Sequence, residues 1–387
     1  MNSAFKFEIK PNRANRIALA KHAGTARFAY NWGLAERKKL YETEKKSTSA
    51  FTQSKELNAV KKTLFPWMSE VSKCAPQEAL RDLDVAFKNF FRGIKTGKKV
   101  GFPRFKKKGD RDSFRLYGTF PIKGTTVRLP RLGVLRLKED PCKLVGRILS
   151  ATVSRQADRW FVSFCVERHM PVPVPIVGPI VGIDLGLKSF AVLSDGTSFL
   201  APKPLARNLK LLKRRSRQHS KKKKGSANRK KSALCLARLH RRIRNVRQDS
   251  LHKLTTNLAK TKSEIVIEDL CVKGMIRNGK LSRAIADVGW GEFRRQLDYK
   301  TKWYGSTLTV APRNFPSTQL CSTCGGRNSS KLTLADRSWT CESCGTSHDR
   351  DLNAAKNLLS LRSTGRSPGI DACGLPSKTE DETTHVV

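Results

Sequence analysis

Four cysteines near the carboxyl end, Cys321, Cys324, Cys341 and Cys344, stand as CSTC and CESC with sixteen residues between the pairs. Each Cys-x-x-Cys turn aims two thiolates at one point, and four soft thiolates suit a tetrahedral zinc ion. Gly325 and Gly345 follow the pairs and permit tight turns there. The spacing predicts a zinc ribbon around one structural Zn²⁺ rather than a redox pair or an iron-sulfur cluster, and the strand-like SWT between the knuckles agrees. The other six, Cys74, Cys142, Cys165, Cys235, Cys271 and Cys373, are scattered as free thiols of a reducing compartment would be, not as a disulfide framework.

The second set of residues suited to chemistry is acidic. Asp184 ends the apolar run in IVGIDLG, Glu268 and Asp269 close SEIVIEDL, and Asp349 and Asp351 open DRDLNAAKNLLSLR. Carboxylates at neighbouring strand ends and on a facing helix converge on one point. There they can hold two Mg²⁺ ions about 3.5 to 4 Å apart for in-line attack on a phosphodiester. A single acid at a strand end is more often a cap or a surface charge. Three in this order, in a chain with no acid at all between Asp195 and Asp249, favour a metal site. The alternation of EIVIE does not choose between Glu268 and Asp269, and periodicity does not choose between Asp349 and Asp351.

Charge names the partner class. The 387 residues hold 77 Lys and Arg against 32 Asp and Glu, a formal net charge of +45. Such self-repulsion becomes tolerable when a polyanion neutralises it in use, so nucleic acid is the expected partner. A binder of anionic membranes or a ribosomal-type structural protein would share the charge but leave the acids unexplained. The cations cluster: Arg207 to Arg247 holds eighteen Lys or Arg and no acid. Within it Arg238, Arg241, Arg242 and Arg244 lie beside an apolar stripe of Leu236, Leu239, Ile243 and Val246, which makes them candidates for backbone contact, as are Lys106, Lys107 and Lys108 in a basic loop. Lys221 to Lys224 occupy a turn and could simply be solvated. No apolar run of about 18 residues is present to span a bilayer, and MNSAFKFEIKPN does not read as a signal peptide, so a cytoplasmic, nucleoid-associated protein is expected.

These residues require elements to position them. FKFEIK alternates as a half-buried strand, and from about Arg13 to Phe91 the period becomes helical, with Phe28, Tyr30, Trp32, Phe87, Phe90 and Phe91 read as core rather than as base-stacking rings. Short alternating strands follow from SFRLYG to DRWFVSFCVERH, giving a helical bundle of residues 13–95 inserted in a small β-barrel of residues 1–12 and 96–170. PVPVPIVGP at 171–179 reads as a stiff linker. Beyond it a strand and hairpin, helix, strand, helix, strand and helix succeed one another, the element order of an RNase H-like α/β domain over 180–312 and 346–362. The zinc ribbon of 313–345 is inserted in it, and 363–387 reads as a disordered tail. The fold class expected is thus multidomain α+β.

GIDLG, then IEDL, then a four-cysteine ribbon running directly into HDRDLNAAKNLL resembles the TnpB family of transposon-encoded, OrfB-type RNA-guided nucleases, related to the type V CRISPR effectors; GFPRFKKK at 101–108 is similar to that family's barrel module. The resemblance implies a single RuvC-like DNA endonuclease site with Asp184, Glu268 and Asp351 as catalytic Mg²⁺ ligands, none of them replaced here. It also implies a guide RNA from the transposon end, a double-stranded DNA target beside a short flanking motif, a prokaryotic host, and wedge-like and recognition roles for the barrel and the helices. Pairing would then read sequence while a basic channel holds the heteroduplex by its backbone. A transposase cutting its element's own ends usually finishes with Glu on the last helix, and a non-catalytic RNA-guided binder would have lost an acid; the order Asp, Glu, Asp favours a nuclease.

Overall fold

The computed structural model describes residues 2–98, 100–169, 171–328, 332 and 336–362, so the expected tail of 363–387 lies outside the described residues. The chain divides into two compact units, Met1–Met170 and Pro171–Val387.

In the first unit, strand β1 (Asn2–Ile9) leads into helix α1 (Arg13–Glu44), where Asn12 and Asn15 exchange side-chain to backbone hydrogen bonds in a capping box. Leu19, Ala23, Ala26, Tyr30 and Leu34 recur every three or four residues and bury one face of α1. Helices α2 (Ala50–Leu64) and α3 (Cys74–Lys95) complete this layer. At Gly33 a Cβ would come within 2.6 Å of Leu80 Cδ2, so glycine sets how closely α1 and α3 approach. Strands β2 (Ser113–Leu116), β3 (Ile122–Lys123), β4 (Thr126–Leu129), β5 (Gly133–Arg136), β6 (Arg147–Gln156) and β7 (Arg159–Glu167) follow. β1 pairs antiparallel with β7 along its whole length, in a sheet ordered β1-β7-β6-β2, while β3-β4-β5 forms a second sheet. Trp160, Val162, Phe164 and Val166 alternate inward from β7 into the core beneath the helices.

Two of the expectations for this unit are corrected. Among the described residues the strands do not close into a barrel: the two open sheets are joined by a single bridge between Ile9 and Leu137. Closure needs an unbroken ladder around the ring, and β2 and β3 lie in separate sheets without pairing to each other. And although Phe28, Tyr30 and Trp32 pack on the core, Phe91 is 55% exposed.

The second unit opens with β8 (Val181–Leu185), β9 (Ser189–Leu193) and β10 (Ser198–Leu200), the last two turning at Asp195 and Gly196, whose φ of +87° suits glycine. Then come α4 (Pro204–Ser220), α5 (Ala227–Thr261), β11 (Glu264–Ile267), the short α6 (Val272–Met275) and α7 (Ser282–Val288), α8 (Trp290–Tyr304), β12 (Thr307–Val310), the ribbon hairpin β13 (Ser338–Thr340) and β14 (Ser347–Asp349), and α9 (Arg350–Leu359). The main sheet is ordered β10-β9-β8-β11-β12, with β8, β11 and β12 parallel and β9 antiparallel to both its neighbours. β8 is buried at every residue because both sheet faces are covered, which is why it reads as a continuous apolar run. On one face Leu251, Leu258, Phe293 and Leu297 of α5 and α8 pack on Ile183, Ile265 and Ile267; on the other Leu358 of α9 packs with Val266 and Ala311. No helix among the described residues is long and apolar enough to cross a membrane.

Candidate active site and metal centre

The acids are brought together by register. β8 and β11 run parallel with Ile183 opposite Ile267, so the next residue on each, Asp184 and Glu268, emerges at the same level of neighbouring strands. Strands in a sheet lie about 4.8 Å apart and alternate sides. Since Ile183 and Ile267 face α5 and α8, the two acids face α9. Asp351 lies in the first turn of α9, and α9 lies hard against β8: a Cβ on Gly182 would fall 2.1 Å from the Ala355 carbonyl oxygen.

The electrostatics follow from this convergence. Burial pushes the Asp184 carboxyl well up from its ordinary value, and Glu268 and Asp351 push it further by repulsion. Burial also raises Glu268, against a 2.7 Å hydrogen bond donated by the Ser317 hydroxyl. Asp351 is held by Arg337 at 3.5 Å and Arg350 at 3.4 Å.

The members of the pairs that periodicity left open have different neighbours. Asp269 is engaged by Arg294 and by Arg313 at 2.8 Å. Asp349 is the N-cap of α9, accepting from the Leu352 N–H at 2.9 Å. Of the carboxylates near Asp184, those of Glu268 and Asp351 raise it most by repulsion.

The four cysteines form the tightest cluster. Their sulfurs all lie within 4.8 Å of one another, a condition that, among the described residues, no other group of three or more potential ligands meets. Cys321 and Cys344 are 3.7 Å apart and Cys324 and Cys341 3.6 Å. A tetrahedral zinc with bonds of about 2.3 Å requires sulfurs about 3.8 Å apart. Gly325 and Gly345, at φ +74° and +70°, donate their N–H groups back to Cys321 and Cys341 and close the knuckles. Thr346 lowers the Cys344 thiol to about 6, while the neighbouring sulfurs push Cys324 up to about 12, as thiols crowded around one point do. These thiols could hold Zn²⁺.

Several residues that the sequence reading passed over tie the two centres together. Asn353 and Asn357, buried on α9, donate to the carbonyls of Ser317 and Leu320 at 2.7 Å, and Asn353 accepts from the Ser322 N–H. They anchor the first knuckle, and the residue that steadies Glu268, to the helix bearing Asp351. Their signal was two polar residues at i and i+4 on the apolar side of an amphipathic helix.

The basic residues divide. Arg238, Arg242 and Arg244 are exposed on α5 and Arg241 is half-buried, while Leu239 and Ile243 beneath them are buried. Other cations of the same run serve the fold: Arg215 donates to the Cys235 carbonyl, Arg229 to the carbonyls of His219 and Lys222, and Arg247 to Asp287. Asp287, missed in the sequence, also accepts from the N–H groups of Leu205 and Ala206 at the start of α4. Lys106, Lys107 and Lys108 are all exposed, and the Lys106 ammonium sits 3.9 Å over the Tyr30 ring with its backbone clamped by Asn31.

Known proteins resemble this chain at the level of family, of full-length sequence and of fold. Family models match residues 163–279 ("Probable transposase"), 290–358 ("Cas12f1-like, TNB domain") and 1–46 ("Helix-turn-helix domain"), the last spanning β1 and the single continuous helix α1. A "Putative RNA-guided DNA endonuclease" of Streptomyces pristinaespiralis is 40% identical over 92% of this chain and 88% of its own. "Putative RNA-guided DNA endonuclease InsQ" of Escherichia coli K12 is 34% identical over 96% and 94%. A cryo-EM structure of a Cas12f1–sgRNA–target DNA complex superposes with a TM-score of 0.53 at 17% identity, over 89% of this chain and 82% of that one. The mixed α/β multidomain fold is thus similar to that of Cas12f1. The chain belongs to the TnpB family.

Proposed function

We propose that this chain is a transposon-encoded RNA-guided DNA endonuclease that hydrolyses phosphodiesters at one RuvC-like site made by Asp184, Glu268 and Asp351. The observation that carries this reading is the parallel register of Ile183 with Ile267, which delivers the buried Asp184 and the half-buried Glu268 side by side beneath the helix that bears the third acid. The sheet order, with the second strand of the unit antiparallel, is that of an RNase H-like domain and supports it. The names of the full-length relatives support it as well.

The acids fit divalent ions because burial and then mutual repulsion raise Asp184, and a dication would offset the repulsion. Two Mg²⁺ held there would activate the attacking water and stabilise the departing oxygen. The chain's own residues do the positioning: Ser317 orients Glu268, Arg337 and Arg350 steady Asp351, and Asp349 caps the helix. In this reading residues 13–95, with 1–12 and 96–170, hold RNA scaffold and flanking motif; 171–179 is a linker; and the ribbon of 313–345 is inserted in the nuclease domain of 180–312 and 346–362. Arg238, Arg241, Arg242 and Arg244, with Lys106, Lys107 and Lys108, contact nucleic-acid backbones. The guide comes from the transposon end, the target is duplex DNA beside a short motif, and the setting is a prokaryotic cytoplasm.

The test is cleavage of a plasmid matched to the RNA that copurifies with the protein, expected with Mg²⁺ and absent with EDTA. Asp184→Ala, Glu268→Ala and Asp351→Ala should each abolish cleavage while target binding persists, because the metal neutralises transition-state charge and adds little to basic-channel affinity. Full activity in any of the three removes that residue from the site. The family description "Probable transposase" favours a second reading, an enzyme acting on its own element's ends. That enzyme would cut those ends after RNase treatment of the complex, and an RNA-guided nuclease would not.

A further inference from the structure

The ribbon has almost no core of its own. Among the described residues its buried apolar set is Cys321, Trp339 and Cys341, with Leu332 packed against them, so a bound metal has to supply most of what holds the knuckles together. Four thiolates on one Zn²⁺ leave two negative charges. Two of the four residues lie out of water's reach: Cys321 and Cys341 are 1% and 3% exposed, whereas Cys324 and Cys344 are exposed. The exposed Cys344 sulfur has the Thr346 hydroxyl 3.3 Å away. The buried Cys321 has a different neighbour, the Nε2 of His348, which stands 3.0 Å from its sulfur. His348 is itself buried on β14, and its ring lies 5.0 Å from that of Trp339, the residue opposite it on β13, which fixes its direction.

We propose that His348 donates its Nε2–H to the Cys321 thiolate and thereby holds zinc in the ribbon, as a positioning residue and not as a fifth ligand. A metal-bound thiolate carries no proton, so the contact stands only with the hydrogen on the imidazole. Two ligands of one tetrahedral zinc, with bonds of about 2.3 Å to sulfur and about 2.0 Å to nitrogen, stand about 3.5 Å apart. His348 Nε2 is nearer to Cys321 than that, and it lies outside the group of four sulfurs that face one point. A donor aimed at a buried sulfur offsets negative charge that water cannot solvate, and the metal-bound form gains most because it carries that charge. The same bond ties the metal to the strand that runs into α9, since His348 directly precedes Asp349, the cap of that helix. A ring present only to pack on Trp339 would need no nitrogen. The inference rests on the zinc reading of the four cysteines and is independent of the nuclease reading.

The test uses the full chain and two substitutions. His348→Phe keeps a flat ring against Trp339 and removes the donor, whereas His348→Gln keeps a side-chain N–H on a stem of similar reach. In competition with a chromophoric zinc chelator, the phenylalanine variant should hold zinc roughly 10- to 100-fold more weakly than the parent, and glutamine should restore most of the difference. Cobalt in place of zinc gives a second readout that packing alone does not move. A hydrogen bond lowers the energy of the sulfur lone pair it engages, so the sulfur-to-cobalt charge-transfer band should shift to lower energy in the phenylalanine variant. The d–d bands of the parent should be those of four thiolates. Equal zinc affinity in the parent and the phenylalanine variant, an unshifted band, or a loss that glutamine shares in full would each overturn the donor role. A parent spectrum of three thiolates and one imidazole would overturn it too, by making His348 a ligand. The zinc reading fails separately: a parent that holds no zinc and takes up no cobalt removes both, and a zinc-bearing parent matched by the phenylalanine variant removes only the part given to His348.

Discussion

Gly182→Ala puts a methyl group between the central strand and the helix that carries Asp351. Its Cβ would stand 2.1 Å from the Ala355 carbonyl oxygen and 2.6 Å from the Leu359 nitrogen. Both are backbone atoms of α9, so no side chain can swing aside. Restoring an ordinary carbon to oxygen separation of about 3.3 Å requires α9 to lift by about 1 Å, and overpacking of this kind costs about 1 to 3 kcal/mol. For a unit of this size each kcal/mol lowers the melting temperature by about 2 to 4 °C. Catalysis should suffer more than stability: displacement of a reacting group by about 1 Å can cost about a hundredfold in rate. Guide-matched plasmid cleavage at saturating Mg²⁺, paired with thermal melting, measures both. Gly279→Ala, with nothing within 4 Å of the added Cβ, is the control and should behave as the parent protein. Cleavage at the parental rate by Gly182→Ala, with an unshifted melt, would show that the packing of α9 on β8 does not set the geometry of the acids.

Cys321→Ser and Cys344→Ser should each lose zinc and destabilise the ribbon, and because Asn353 and Asn357 tie the first knuckle to α9, cleavage should fall too; elemental analysis finding no zinc in the parent, or about one iron per chain, overturns the assignment. Replacing Arg238, Arg241, Arg242 and Arg244 together by Ala should lower the slope of log affinity against log salt by about 0.7 to 0.9 for each phosphate no longer neutralised, with mismatch preference untouched; an unchanged slope removes them from the nucleic-acid interface. Arg247→Ala should act differently, destabilising the fold by about 3 to 5 kcal/mol in a denaturant titration, since it leaves the carboxylate of Asp287 buried without its cation. In EDTA-treated protein, the raised Asp184 binds more protons folded than unfolded above pH 3.8, so its contribution to stability is full below that value and is lost as pH rises through the raised one. Asp184→Asn should therefore raise the melting temperature of the metal-free protein at neutral pH and flatten its pH dependence; an equally steep profile in the variant would assign the effect to other groups.

Much of the site was legible because it is encoded locally. Two Cys-x-x-Cys turns with glycines behind them specify a four-thiolate cluster within a few residues of each ligand, and acids at the ends of apolar runs mark strand ends without reference to the rest of the chain. The element order of the second unit could be read in the same way, from periods of 2 and 3.6.

What depended on partners far along the chain could not be read. Glu268 and Asp269 are adjacent in an alternating strand, and it is Arg294 and Arg313, 25 and 44 residues on, that occupy one and leave the other facing Asp184. Asp349 and Asp351 are alike by periodicity, and in the fold one caps α9 while the other lies in its first turn. The run of eighteen cations looks uniform in sequence, yet Arg247 is committed to Asp287, 40 residues away, while Arg242 is exposed. Closure of the first unit's strands failed at a ladder between segments that no local pattern relates, and Phe91 shares the helical period of its buried neighbours while standing in solvent. Local propensity and periodicity act over two to four residues, so they determine what an element is and which residues it carries to its end. The side chain that lies opposite is chosen by packing across the whole unit, and that choice decides which acids, cations and rings are left to act.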